Sequence, residues 1–107
     1  FVLPVLSRDR KVIFVIIDCL RLDQWRVLEP LLASWFEVET SHYYSILPTA
    51  TPYARNALFS GLFPGEIAAR HPDWWGERDD EALNAHEKDL LVAQLAALQH
   101  PAPVRYQ

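Results

Sequence analysis

The chain has 107 residues, of which 50% are hydrophobic and 22% charged, a composition that suits a globular domain with one modest core. Ten Lys and Arg against 14 Asp and Glu give a formal charge of -4, which excludes a broad basic footprint for duplex nucleic acid. The single Cys19 excludes an internal disulfide and any CxxC or Cys-His zinc finger. The longest apolar run, VIFVII at 12 to 17, falls short of the roughly 18 residues that span a bilayer, so the expectation is a cytoplasmic protein without a membrane span.

The chain opens on FVLPVLSRDRK, without Met and unlike a signal or transit peptide, and trails off in HPAPVRYQ. Both ends read as cuts, so the 107 residues are expected to be one domain or part of one. Residues 11 to 17, KVIFVII, are a continuous β-branched and aromatic run ended by Asp18. This pattern predicts a strand buried on both faces of a parallel sheet. From Leu20 to Phe36, apolar residues recur at helical spacing, with Pro30 expected to kink or divide the helix. FEVET at 36 to 40 alternates and predicts a short second strand, which would complete a βαβ-like unit with a right-handed crossover.

In PTATPYARNALFSGLFP, residues 48 to 64, Thr51 is a preferred N-cap, Pro52 suits the first turn, and Gly61 with Pro64 beyond it supplies a stop. A short helix over about 52 to 60 is predicted. Residues 65 to 82, rich in Pro, Gly and charge, read as a long surface loop. A last amphipathic helix is expected from about Asn84 to Gln99, with Asn84 as N-cap and Glu87 at the capping-box position. The fold class these elements imply is α/β, a central, mostly parallel sheet flanked by helices.

Asp18 would stand at the carboxyl end of the buried strand, the edge where open α/β sheets bind ligands. Its carboxylate suits a hard or borderline cation, or else Asp18 or Asp23 simply caps the helix that follows. Thr51 has the same double reading. An N-cap threonine stabilises a helix by about 1 kcal/mol with no chemistry at all. A helix N-terminus also offers backbone N-H groups and a positive dipole end to a phosphoryl group, and a metal ion would activate the hydroxyl. Arg55, one turn along, can reach back to such a phosphate or lie solvated, and Asn56 is a second polar contact or surface. His42, His71, His86 and His100 show no i, i+4 pair and are left out of the site. Tyr43, Tyr44, Tyr53, Trp74 and Trp75 suit the core or a partner surface better than a stacked base.

KVIFVIIDCLRLDQW followed by YYSILPTATPYARNALFSGLFPGEI resembles the start of a PglZ domain, a branch of the alkaline phosphatase superfamily, as found in PorX-type response regulators. The resemblance runs over roughly residues 10 to 98. In nucleotide pyrophosphatases and sulfatases of the superfamily, a nucleophile precedes the Gly of a TG-x-x-P element by ten residues. Thr51 precedes Gly61 by that interval, in an element that reads SGLFP here, with Ser60 in place of Thr. Sulfatases also carry an Arg four residues after the nucleophile, which Arg55 matches.

The resemblance implies a two-metal site, usually zinc, in which Asp18 is a metal ligand and Thr51 is both nucleophile and metal ligand, with Thr49 as its rival. Arg55 and Asn56 would contact the substrate phosphate. It further implies a phosphodiesterase acting on nucleotide or oligonucleotide phosphodiesters, an upstream receiver domain, and a role in two-component signalling. The alternative is a non-catalytic signalling module that dimerises or docks a partner. The superfamily's downstream Asp and His ligands have no counterpart in the 107 residues. On that resemblance the chain is the N-terminal portion of a PglZ domain and is expected to be inactive alone.

Overall fold

The structure of the chain, a computed structural model, describes residues 3–6, 11–75 and 84–107. It divides into two compact units, one of residues 13–44 and one of residues 1–12 with 45–107.

The described residues contain helices and no strand, which corrects the expected α/β fold with its central parallel sheet. A parallel strand stands only where neighbouring strands complete its ladder and helices cover both faces. The KVIFVII pattern specifies that environment without supplying it. Among the described residues no second strand pairs with 11–17, and Ile13 is 90% exposed, with Val15 and Ile17 also open to solvent. Residues 36–40 form no strand either; Thr40 Oγ1 instead donates to Glu29 Oε1 at 2.6 Å, tying this segment to the helix before it.

Within the 13–44 unit, helix α2 spans Leu22–Leu32, after the single-turn α1 (Leu3–Leu6) of the other unit. Its start is held by the Arg21 N-H donating to Gln24 Oε1 at 3.0 Å and by the Arg21 side chain on Asp23. Pro30 lies in the last turn, where its missing N-H costs a single bond, and the helix ends at the Ala33 cap rather than continuing to Phe36.

The other unit holds three packed helices. Helix α3 (Thr51–Ser60) buries Pro52, Asn56, Phe59 and Ser60, a single stripe at i, i+4, i+7 and i+8. It ends as expected on Gly61, whose φ of 67° is left-handed and whose N-H bonds the Ala57 carbonyl. Helix α4 (Pro64–Arg70) occupies part of the stretch read as loop. Pro64 opens it, and Glu66 Oε2 accepts the Phe63 N-H at 2.8 Å, so Pro, Gly and charge here mark a helix start and not a coil. Two tight turns follow, with the Trp74 and Trp75 N-H groups donating to the His71 carbonyl. Residues 76–82 of the expected loop lie outside the described residues.

Helix α5 runs over Glu87–Ala97, three residues later than expected, with His86 at its cap and 84–86 as a turn. Helix α3 packs against both α5 and α4, and the hydrophobic core between them is Phe59, Ile67, Leu90 and Leu95. Ile67 is wholly buried. Ile67→Ala is therefore expected to cost about 3 kcal/mol, read as a fall in the urea midpoint at unchanged slope.

The end of α5 carries a local strain. Gln99 sits at φ 57°, and the His100 N-H reaches back to the Leu95 carbonyl at 2.9 Å, a helix stop that glycine fills at no steric cost. Gln99→Gly is expected to raise stability by roughly 0.5 kcal/mol, the relief of strain outweighing the added freedom of the unfolded chain. An unchanged or lower melting temperature would count against this.

Candidate functional site

The N-terminus of α3 is built one residue earlier than its sequence pattern suggests. Ala50 takes the extended cap conformation, with φ -64° and ψ 143°, and Thr51 is the first helical residue, with Pro52 second. Thr51 is half-buried and Thr49 exposed. The expected N-cap role of Thr51 thus falls to Ala50, which has no side-chain oxygen to offer. Pro52 has no N-H, and the Tyr53 and Ala54 N-H groups both turn to the Ala50 carbonyl, at 3.1 and 3.0 Å. What this terminus retains for an anion is chiefly the positive end of the helix dipole.

One turn on, Arg55 meets an acidic partner that sequence spacing did not reveal. Its Nε and Nη2 donate to Glu87 Oε1 and Oε2, both at 2.6 Å, in the two-pronged geometry that makes arginine-carboxylate pairs strong. The Glu87 side chain is only 1% exposed and that of Arg55 29%. Glu87 also accepts the Tyr106 hydroxyl at Oε2. Tyr106 has its pKa raised above 10.0, first by this hydrogen bond to Glu87, then by burial and by the Glu87 charge, with Arg55 acting in the opposite sense. The sequence pattern predicts a capping-box role for Glu87 within its own helix. It serves as the anchor between α3 and α5 instead.

Asn56 is fully buried and donates through Nδ2 to the Pro52 carbonyl at 2.7 Å, with Asn84 Oδ1 at 3.5 Å. Both residues expected to face a phosphate therefore have documented contacts inside the helix pack. Asp18 belongs to the 13–44 unit, where it is exposed and its Oδ1 accepts the Cys19 N-H at 2.9 Å. That bond accompanies a left-handed Cys19, at φ 57°.

Toward zinc, Asp18 and Thr51 offer a carboxylate and a hydroxyl. A carboxylate and a hydroxyl make at most half of a four-coordinate site, and among the described residues no group of three or more His, Cys, Asp and Glu gathers. The described residues alone do not fit the ion.

The aromatic residues find one another. The His71 ring stacks on Trp74 at 4.4 Å, Trp74 stacks on His86 at 5.8 Å, and Tyr53 meets Trp75 edge-on at 5.7 Å. His86 Nδ1 also lies 3.1 Å from Asp89 Oδ2. These contacts fasten the turn after α4 to the starts of α3 and α5. A pocket of about 310 Å³, bordered by Ser60, Gly61, Arg70, His71 and Gln94, opens at the far end of α3. Nine residues separate Thr51 from Ser60, roughly 13 Å of helix, so this pocket is not the surroundings of Thr51. A Cβ on Gly61 would meet the end of the Gln94 side chain, which can move aside, so what calls for glycine there is its left-handed backbone angle.

A family model, the BREX system PglZ alkaline phosphatase-like domain, matches residues 1–107. The chain belongs to the PglZ alkaline phosphatase-like domain family. No curated protein matches it. Among the described residues, no helix is long and apolar enough to cross a membrane.

Proposed function

We propose that this domain serves phosphoester hydrolysis, with Thr51 as the nucleophile toward nucleotide or oligonucleotide phosphodiesters. The observation that carries the reading is the position of Thr51. It is the first residue of a ten-residue helix, at the positive end of the dipole, in a chain of an alkaline phosphatase-like family. Thr51 Oγ1 forms a bond to phosphorus as the ester P-O bond breaks, and the hydroxyl proton ends on the leaving alcohol. A water then attacks the same phosphorus, the Oγ1–P bond breaks, one water proton returns to the Thr51 hydroxyl, and the phosphate monoester leaves. Arg55 reaches the phosphoryl oxygens in this reading only by giving up Glu87, so its first duty is to hold α3 in place.

A second reading, a non-catalytic module, is favoured by a specific observation: Arg55 and Asn56 both serve the helix pack. Hydrolysis of bis-nitrophenyl phosphate by the complete polypeptide that carries this domain separates the two. Loss of turnover in Thr51→Ala supports the nucleophile, and unchanged turnover removes it. The setting is proposed on separate grounds. The motif resemblance favours a PorX-like two-component protein with an upstream receiver domain, zinc dependence and a homodimer, whereas the family's description carries a BREX-system setting.

A further inference from the structure

Residues 101–107 meet the helix pack through the Tyr106 side chain in two ways, with Ala102 and Val104 half-buried before it. The Tyr106 hydroxyl donates to Glu87 Oε2, and its ring meets Phe59 edge-on, with centroids 6.1 Å apart. Along the backbone the segment is tied much less. After the His100 N-H bond to the Leu95 carbonyl, no backbone hydrogen bond within the described residues joins 101–107 to the helices. Pro101 and Pro103 have no N-H to give.

The groups that face the phenol are Glu87 from α5 and Arg55 and Phe59 from α3. The carboxylate lies beneath the tyrosine, 1% exposed, and Tyr106 itself is 43% exposed.

We propose that residues 101–107 form a strap which Tyr106 latches over the Arg55–Glu87 pair, and that loss of the phenolic proton donor opens the strap while the helices beneath stay packed. A carboxylate held by a guanidinium can take one further donor and tolerates no further negative charge. A neutral phenol supplies the donor. A phenolate, or a phosphoryl group on the same oxygen, would set a second negative charge against Glu87, whose charge Arg55 already balances. The raised Tyr106 pKa agrees: the latch is fully made below pH about 10 and is lost as pH rises through the raised value. Opening uncovers one side of the Arg55–Glu87 pair.

Arg105 precedes the latch and is exposed, so trypsin reads the strap directly at the Arg105–Tyr106 bond. Initial cleavage rates at Arg105 and at Arg55, inside α3, are measured by mass spectrometry on the complete polypeptide that carries this domain, each normalised to the same bond in the denatured chain. In Tyr106→Phe the ring contact is kept and the hydroxyl lost. Cleavage at Arg105 is expected to rise about tenfold, the factor given by losing one hydrogen bond to a charged acceptor, with the rate at Arg55 unchanged. Tyr106→Ala, which removes the ring as well, is expected to be at least as fast. An Arg105 rate in Tyr106→Phe within about twofold of the parent chain would overturn the strap. A parallel rise at both bonds would also overturn it, because the phenol would then be supporting the whole fold.

Discussion

Glu87→Ala is expected to lower the melting temperature by more than about 10 °C, or to leave the helices of the 45–107 unit unfolded at room temperature. Removing one member of a buried ion pair typically costs about 3–5 kcal/mol, because the remaining charge keeps its burial and loses its partner. Here the remaining charge is Arg55, whose 29% exposure gives the guanidinium some access to water and moves the expected cost toward the lower end. Tyr106 loses its acceptor in the same stroke. Against a total stability of about 5–15 kcal/mol for a whole domain, such a loss is large.

Glu87→Gln keeps the shape and an acceptor oxygen and should cost less than half as much. Arg55→Met combined with Glu87→Leu should recover much of the loss, since replacing both charges leaves neither stranded. Circular dichroism melts of the four chains form the test. A Glu87→Ala chain that melts within about 2 °C of the parent would show that the pair does not hold α3 to α5.

How far the sequence reveals this fold depends on the range over which each interaction acts. Pro52 and Gly61 act within one turn, and α3 lies within a residue of its expected bounds because Pro restricts φ and Gly accepts left-handed angles wherever they occur. The cap was misplaced for a related reason. The residue before a proline ordinarily favours the extended region, which would make Thr51 the cap, yet Ala50 takes that conformation and Thr51 is already helical, so the helix overrides the local preference.

Glu87 shows the opposite limit. Its spacing from Asn84 suggested a local capping box, but its partner Arg55 is 32 residues away, and no periodicity reports a contact at that range. The contact of Tyr106 with Glu87 is hidden from sequence for the same reason. The apolar run at 11–17 fails differently: a hydrophobic pattern states what surroundings a segment would suit, whereas a strand exists only if a second strand is present to pair with it. Asp18 was assigned to a sheet edge, and without a sheet that geometric argument for its role falls away. The membership of the chain in the PglZ family, by contrast, was legible, because the two motifs lie in tandem in one short chain.

Thr51→Ala is expected to reduce phosphodiester hydrolysis by the complete polypeptide by roughly 10⁴-fold or more, the scale on which a catalytic nucleophile is lost. The structure makes this measurement cleaner than the sequence alone suggested. Had Thr51 been the helix cap, its removal would have cost about 1 kcal/mol of stability, and a fall in turnover would have mixed chemistry with unfolding. Since Ala50 holds the cap position, Thr51→Ala leaves the cap in place, and a melting curve of the variant beside the assay separates any loss of folding from loss of chemistry. Thr51→Ser keeps a hydroxyl on the same helical residue and should retain turnover within about tenfold. Thr49, exposed and outside the helix, provides the control, and Thr49→Ala is expected to leave the rate near that of the parent. A reversed pattern would move the nucleophile to Thr49. If neither alanine changes the rate, the catalytic reading fails, and Arg55, Asn56 and Glu87 are left as the anchors of a module that binds and does not cleave.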